Sequence, residues 1–501
     1  MAISTFVSLG PRFFTVEGDG GMASKRFFLF LLLMALATIG LIAGTRGAHS
    51  GASDKDEVTF SKDVAPIFYR HCAECHRPHD IAPFSVLTYQ EVLPWAESIR
   101  EKVSAREMPP WHADSHYGEF LNDRRLSQED IGTIVTWVAQ GAKEGNPEDL
   151  PTPPRYFPGW KMGRPDYVLA MSEEYTIEAH APDSYVYVTF PTKFKEDRWV
   201  QAAEILPGNR GIVHHVIAHV VTAEAFSAGK KRVSAEFPQA DTEPSIFYKE
   251  GSLSRVKMDA PVIDDGADAP NGGSLFKGRT GDGAAEYSVL LASYAPGKGP
   301  DVYPPGTAKL IPAGSTIILQ IHYSSFHGRI ETAQRDRTIV GLIFAKEPPA
   351  RRAVTFTVPN HFFKIPPGAA NHKVTAAYTF DREVQLISYM PHMHLRGKDM
   401  KYEIVFPDGR RQTLLWVPKF DFNWQTVYRL KNPMMVPKGS RIIVTAHFDN
   451  SARNKHNPDP AKAVRWGDPS YDEMMIGWLE YTVTNSNKGS STSQLNSSRA
   501  P

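Results

Sequence analysis

The spacing of apolar and polar positions changes character twice along the chain. An unbroken apolar run, FFLFLLLMALATIGLIAG (27–44), follows Lys25 and Arg26 and gives way to small residues in TRGAHSGA. A basic flank, an apolar stretch and a small-residue exit predict an export leader over 1–50, with Ala48-His49-Ser50 as a cleavage point. The run is also long enough to stay in a bilayer, so membrane association is expected only through an uncleaved leader. Residues 1–21, ahead of Met22, read as an extended leader or a start placed too early. The rest of the chain is then exported, periplasmic or otherwise extracytoplasmic.

From 51 to 145 apolar positions recur at helical spacing. VTFSKDVAPIFYRH puts Val64, Ile67 and Phe68 on one face. A second amphipathic stretch runs from about Tyr89 to Val103, and a third opens on Ser127, with acids in its first turn, and ends at Gly141. NPEDLPTPPRYFPGW then breaks the pattern, making 146–163 a Pro-rich linker. Beyond it the period drops to two. SYVYVTF, GIVHHVIAHVV, STIILQIHY, VQLISYMPHMH, MKYEIVF, SRIIVTAHF and MIGWLEYTV read as strands between Pro, Gly and Asp turns. The fold class is therefore multidomain: a small all-α domain at 51–145, then two antiparallel, jelly-roll-like β-sandwiches at 164–347 and 348–485. SNKGSSTSQLNSSRAP (486–501) is a polar, disordered tail.

Composition narrows function mainly by exclusion. A length of 501 residues with 42% hydrophobic and 22% charged positions suits several ordinary cores. A net charge of +1, with no basic cluster interleaved with aromatics, gives no reason to propose nucleic acid. Cysteine changes the picture more. The only two, Cys72 and Cys75, stand in HCAECHRP with His76 directly after them. Cys-x-x-Cys-His is the attachment pattern of c-type haem: two thioethers fix the porphyrin edge and the histidine is held beneath the iron. A lone disulfide, a thioredoxin-type pair or half of a zinc site are the alternatives; export and the adjacent histidine favour haem, and no second cysteine pair exists for zinc. Three helices around this motif resemble a small class I cytochrome c. The resemblance implies a methionine as sixth ligand, in a loop before the last helix, where REMPPWH offers Met108, with His112 as rival.

Three histidine sites mark the strands: His214-His215 in IVHHV, His322 in LQIHYSS, and His392 with His394 in YMPHMHLRG. His392 and His394 alternate onto one face of a regular strand. The adjacent His214 and His215 point to opposite faces unless a strand end or bulge turns them together. Each site alone is weak. Together they resemble the copper type II, ascorbate-dependent monooxygenases, whose members include the peptidylglycine and dopamine β-hydroxylases, over roughly 165–485. The resemblance implies one copper on His214, His215 and His322, with Gln320 also in its family place. It implies a second on His392, His394 and Met474 of DEMMIGWLEY, Met475 being the register alternative. Three imidazoles suit a copper that passes electrons, and exchanging one for a thioether favours Cu(I), the state that meets dioxygen. Zinc on three histidines competes for one site only.

The departures are informative. The β region has no cysteine where the family carries disulfides, and the stretch between His215 and His322 is longer than expected, including the Gly/Asp-rich PVIDDGADAPNGGSLFKGRTGDGAA. His219, His361, His372 and His447 have no assigned role. In peptidylglycine enzymes an arginine two residues before the His-x-His pair helps hold the substrate carboxylate, and an asparagine and a tyrosine follow the methionine ligand; here Met390, Ile476 and Trp478 stand there. Such a site solvates an anion poorly, so the expected substrate is a neutral or apolar small molecule. The expected activity is hydroxylation of a C–H bond by dioxygen at the His392/His394/Met474 copper, with the other copper delivering an electron. The fused haem would re-reduce both, and an external donor, an ascorbate-like reductant or a redox protein, would reload it. A haem–copper electron carrier or copper-binding protein without oxygen insertion is the alternative.

Overall fold

In the computed structural model, strands with the predicted two-residue period build most of the molecule, and the helices are few and short. The structure describes residues 57–78, 80–155, 159–181, 184–223, 226, 253–255, 288–323, 331–467 and 470–484. The expected leader, the tail and the Gly/Asp-rich loop lie outside them. The chain divides between Glu57 and Val58, and everything below belongs to the second unit. Among the described residues no helix is long and apolar enough to cross a membrane.

The two β regions share a layer. A nine-stranded sheet runs Tyr167–Ala170, Ile339–Phe344, Arg198–Leu206, Thr307–Ile311, Arg351–Pro359, Ile476–Thr484, Val384–His392, Tyr428–Val436, with Asp301–Val302 also on Arg198–Leu206. The seam is a short parallel contact, Arg351 and Arg352 against Thr307 and Ala308. The layers are consistent with the two expected sandwiches, which here share one sheet at this seam. On the N-terminal half this sheet faces five strands, Leu253–Arg255, Ser184–Pro191, Thr316–Tyr323, Val213–Val221 and Ser288–Tyr294. On the C-terminal half it faces four, His372–Thr379, Arg441–Phe448, Gly397–Val405 and Arg411–Val417.

Alternation fills both interiors. Val186, Val188, Val216, Leu319 and Ile321 meet Val200, Ile205 and Leu342 in the N-terminal core. Tyr402, Ile404, Val444 and Phe448 meet Leu386, Tyr389 and Leu479 in the C-terminal one. Each such side chain contributes roughly 1.5–3 kcal/mol on burial, which lets these layers hold without disulfides. Gly477 permits close approach, since a Cβ there would lie 2.6 Å from Val444 Cγ2. A buried joint crosses between the halves. Lys309 Nζ donates to Leu290 O (2.9 Å) and Thr355 Oγ1 (2.8 Å) and pairs with Glu480 Oε1 at 3.0 Å.

The N-terminal segment has helices where the periodicity places them: Ala65–His71, Tyr89–Val92 continuing through a tight turn into Ala96–Ser104, and Gln128–Ala139. Ser127 Oγ accepts Asp130 N at 2.9 Å, and Thr88 with Glu91 forms a capping box. Their core is Phe60, Phe68, Val92, Ile134 and Trp137. The stretch between the last two helices does not stay with them. Trp111 and Phe120 are buried in the C-terminal β core, and Leu121 N donates to Arg429 O and Asp114 N to Trp416 O, both at 2.8 Å. Two large aromatics drew this stretch onto the sheet edge, a long-range preference that no local period encodes.

Candidate metal centres

The first histidine cluster depends on a backbone irregularity. His322 pairs with His215 across the ladder, but Tyr323 pairs with Val213, so His214 is an extra residue on its strand. That bulge turns two adjacent histidines toward one point. The three Nδ1 atoms lie 3.2 Å (His214–His215), 3.2 Å (His214–His322) and 3.4 Å (His215–His322) apart. Three nitrogens bound at about 2.0 Å to one ion, at tetrahedral to trigonal angles, would stand about 3.3–3.5 Å apart. The residues therefore fit a metal. Tyr185, opposite His322 on the neighbouring strand, stacks on its ring at 4.3 Å, and Gln320 Nε2 donates to Tyr187 OH at 2.5 Å. Burial first, then the neighbouring imidazoles, hold His215 well below the usual histidine range, so its lone pair is available for coordination.

The second cluster is assembled from loop ends. His392 closes its strand and His394 stands in the turn after it, with ring centroids 5.3 Å apart and planes at 87°. Met393 between them is fully buried in the C-terminal core, as alternation predicts. The turn closes by Gly397 N donating to His394 O at 3.0 Å, and a Cβ on Gly397 would stand 2.7 Å from that of Met393. Each ring uses Nδ1 elsewhere: His392 with Gln425 Oε1 at 2.9 Å, His394 with Asp472 O at 3.3 Å. This leaves both Nε2 atoms for a metal, the usual arrangement of a ligating histidine. His392 pairs with Ile476 at the last rung of the ladder; His394 follows His392 by two residues and Met474 precedes Ile476 by two. Met475 is fully buried in the core, whereas Met474 is half-buried. Met475 thus serves the core, and the Met474 side chain stays outside it. Glu473, buried just before it, accepts from His394 N (2.9 Å) and Arg396 N (2.6 Å) and ties the two loops together. Burial raises the Glu473 carboxyl to about 8. His394 is held well below its ordinary range by burial, then by His392.

Two residues of this site stand outside every pattern read from the sequence. Phe422 and Gln425 belong to the loop between strands Arg411–Val417 and Tyr428–Val436, where no periodicity points to a partner. A glutamine among aromatics in FDFNWQ is the one local hint. Phe422 lies between the clusters, with ring centroids 4.9 Å from that of His214 and 5.9 Å from that of His394. Beside the pair, Met390 stands opposite Trp478 and His392 opposite Ile476, so the three residues expected to replace carboxylate-binding groups are neighbours on the shared sheet. All three are half-buried, outside the core.

The Cys-x-x-Cys-His segment leaves helix Ala65–His71 as a turn, with His76 N donating to Cys72 O at 2.9 Å. Cys72 and Cys75 are free thiols, and burial pushes that of Cys72 up to about 12. His76 Nδ1 faces Phe84 O at 3.2 Å, leaving Nε2 for an iron, and Phe84 packs on the ring at 4.5 Å. This donor set fits a covalently attached haem. Met108 lies just past helix Ala96–Ser104, its amide donating to Lys102 O at 3.3 Å. Its rival His112 instead lines a pocket with Pro391, Phe420, Asp421 and Trp424 of the C-terminal half. Asp80 pairs with Arg210 at 2.9 Å, joining the haem-motif segment to the turn before His214. Of the unassigned histidines, His447 pairs with Asp399 at 2.8 Å and His361 packs on Trp466 at 3.9 Å, both structural arrangements.

Residues 354–497 match the family described as copper type II ascorbate-dependent monooxygenase, C-terminal domain. That stretch contains His392, His394 and Met474 as well as Phe422 and Gln425. No protein with a curated description matches the chain. Solved structures with a loosely similar arrangement include the STIV MCP (10% identity, 56% of this chain and 96% of that one, TM-score 0.20). PNGF-II in its P21 space group gives 8% identity, coverages of 64% and 66%, and a TM-score of 0.26. The infectious bursal disease virus VP2 subviral particle gives 9%, 66% and 75%, and 0.16.

Proposed function

We propose that the chain is an exported, copper-dependent monooxygenase that hydroxylates a C–H bond of a neutral or apolar small molecule. The balance is R–H + O2 + 2 electrons + 2 protons giving R–OH + H2O, and the electrons arrive from an external donor through a c-type haem on Cys72, Cys75 and His76. Copper at both clusters, when bound, supplies the one-electron chemistry with dioxygen, and a haem supplies it with reducing equivalents. The observation that carries the reading is the pairing of a histidine triad from one half with a His-His-Met set from a half that matches the copper monooxygenase family.

The residues divide the work. His214, His215 and His322 form a ready three-nitrogen seat that needs little rearrangement. His392 and His394, oriented by Gln425 and the Asp472 carbonyl, present two nitrogens and leave positions open beside the thioether of Met474. Met390, Trp478 and Ile476 give the substrate an apolar floor next to that set and disfavour a carboxylate. Met108 is the proposed second axial ligand of the haem iron, and its thioether raises the potential relative to a second histidine. The Asp80–Arg210 ion pair places the haem-motif segment against the half that carries the triad.

The test uses the full chain matured with haem and copper. Elemental analysis and the haem spectrum should give two coppers and one haem per chain. Oxygen uptake with reductant should be stimulated by neutral apolar substrates, with one hydroxylated product per oxygen, and not by a glycine-extended peptide. Fewer than two coppers, or cycling without oxygen insertion, overturns the reading in favour of a carrier.

A further inference from the structure

One loop touches both histidine clusters. The Phe422 ring lies nearly parallel to that of His214, at 27°, and meets that of His394 at 83°, with centroids 4.9 and 5.9 Å away. The same loop orients a third ligand: Gln425 Oε1 holds His392 Nδ1 at 2.9 Å while Gln425 Nε2 donates to Phe422 O at 3.1 Å. The loop is itself fixed. Phe420 N donates to Lys398 O at 2.9 Å, Trp424 N to Asp421 O at 3.0 Å, and Asn423 N to Asp421 Oδ1 at 2.9 Å. His112, from the N-terminal segment, lines a pocket with Phe420, Asp421 and Trp424 on the same loop. The ring between the clusters is thus held in place from several sides.

We propose that Phe422 is the electronic link between the two sites, the ring through which one electron passes from His214 to His394. This inference rests on the copper reading above. With copper held at both sites, the electron would leave a Cu(I) ion on His214, His215 and His322 and reduce a Cu(II) ion on His392 and His394; no bond would break and no proton would move. The physical ground is contact. Electron tunnelling weakens steeply across open gaps, and an aromatic ring packed against both imidazoles keeps the path within van der Waals distance. A role as mere support for His214 makes a different forecast, because a bulky aliphatic side chain would serve it nearly as well.

The experiment uses full-length protein carrying haem and two Cu(II), mixed without oxygen with a limiting outer-sphere reductant. Haem absorbance and freeze-quenched Cu(II) spectra are followed together. In Phe422→Leu both coppers should load with unchanged hyperfine values. The first copper should be reduced at the wild-type rate and the second several-fold more slowly. Phe422→Tyr, which keeps a ring, should restore the second phase. A wild-type second phase in Phe422→Leu overturns the link alone, as does altered copper binding in that variant, which would make the ring a support. Wild-type protein that binds fewer than two coppers overturns the copper reading, and the link with it.

Discussion

The two histidine clusters are built in opposite ways. The triad comes from two adjacent strands of one sheet, and a single bulge brings three nitrogens within 3.4 Å of one another before any metal arrives. The His392/His394 pair sits at a strand end and in the turn beyond it, its rings steered by a glutamine and a carbonyl from other loops. Met474, its proposed third member, belongs to yet another segment, just before strand Ile476–Thr484. A site fixed by a hydrogen-bonded ladder resists change in coordination, which suits a group that only passes electrons. A site hung on loop ends, with one soft ligand and open positions, suits one where dioxygen and substrate must enter.

The strongest attempt to break this comparison removes one ligand from each side. His322→Ala should lower copper from two ions per chain to one and abolish turnover, with the remaining copper keeping sulfur in its coordination shell. His392→Ala should leave the other copper, with nitrogen ligands only. Elemental analysis and X-ray absorption of the Cu(I) form read both outcomes. Loss of both ions in either variant would mean that the sites do not assemble independently.

The methionines sharpen the contrast next. Met475 fills the core, so Met475→Ala should cost about 2–5 kcal/mol in denaturant unfolding and leave copper–sulfur scattering intact. Met474→Leu should remove that scattering and change stability by only about 0.5 kcal/mol. The reverse pattern would transfer the ligand role to Met475.

How much of this was legible in the sequence depends on whether a feature has a period. The strands bearing His214, His322 and His392 stand out by alternation, and pleat geometry alone requires a strand end or a bulge at His214-His215; the structure supplies the bulge. The same alternation turns Met393, between two histidines on one face, toward the core, where it is fully buried. The shared sheet was not legible, because the contact of Arg351 with Thr307 is parallel and carries no turn signal between adjacent strands. Trp111 and Phe120 stood in a stretch read as part of the haem domain, whereas they bury into the C-terminal half. Phe422 and Gln425 lie in a loop, where only folding reveals what a side chain reaches.

A milder perturbation tests whether the pair is steered from outside. Gln425→Leu removes the acceptor of His392 Nδ1 and should weaken copper at that site by about 10–100-fold, the usual effect of losing such a partner. The triad, which has no contact with Gln425 in the ladder, should bind as before. Competition with a Cu(I) chelator in the His322→Ala background isolates the affected site. Equal weakening of the triad would show that the loop holds both clusters as one body.

The smallest effect separates a ligand from a look-alike on one strand. His219 shares the Val213–Val221 strand with His215 and falls on the same face by alternation, yet it is not among the three nitrogens that converge. Loss of solvent around its ring lowers its pKa to about 4. The folded-state value lies below the unfolded one, so the unfolded chain takes up the proton first as pH falls. The stability His219 confers is therefore intact above the unfolded value of about 6.5 and is lost progressively from there toward 4. By pH 5.5 the loss is on the order of 1 kcal/mol from this residue. His219→Gln should flatten the pH dependence of metal-free unfolding by that amount relative to wild type while the chain still binds two coppers. A drop in copper content would instead make His219 part of the metal site, and the triad would no longer be a closed set of three.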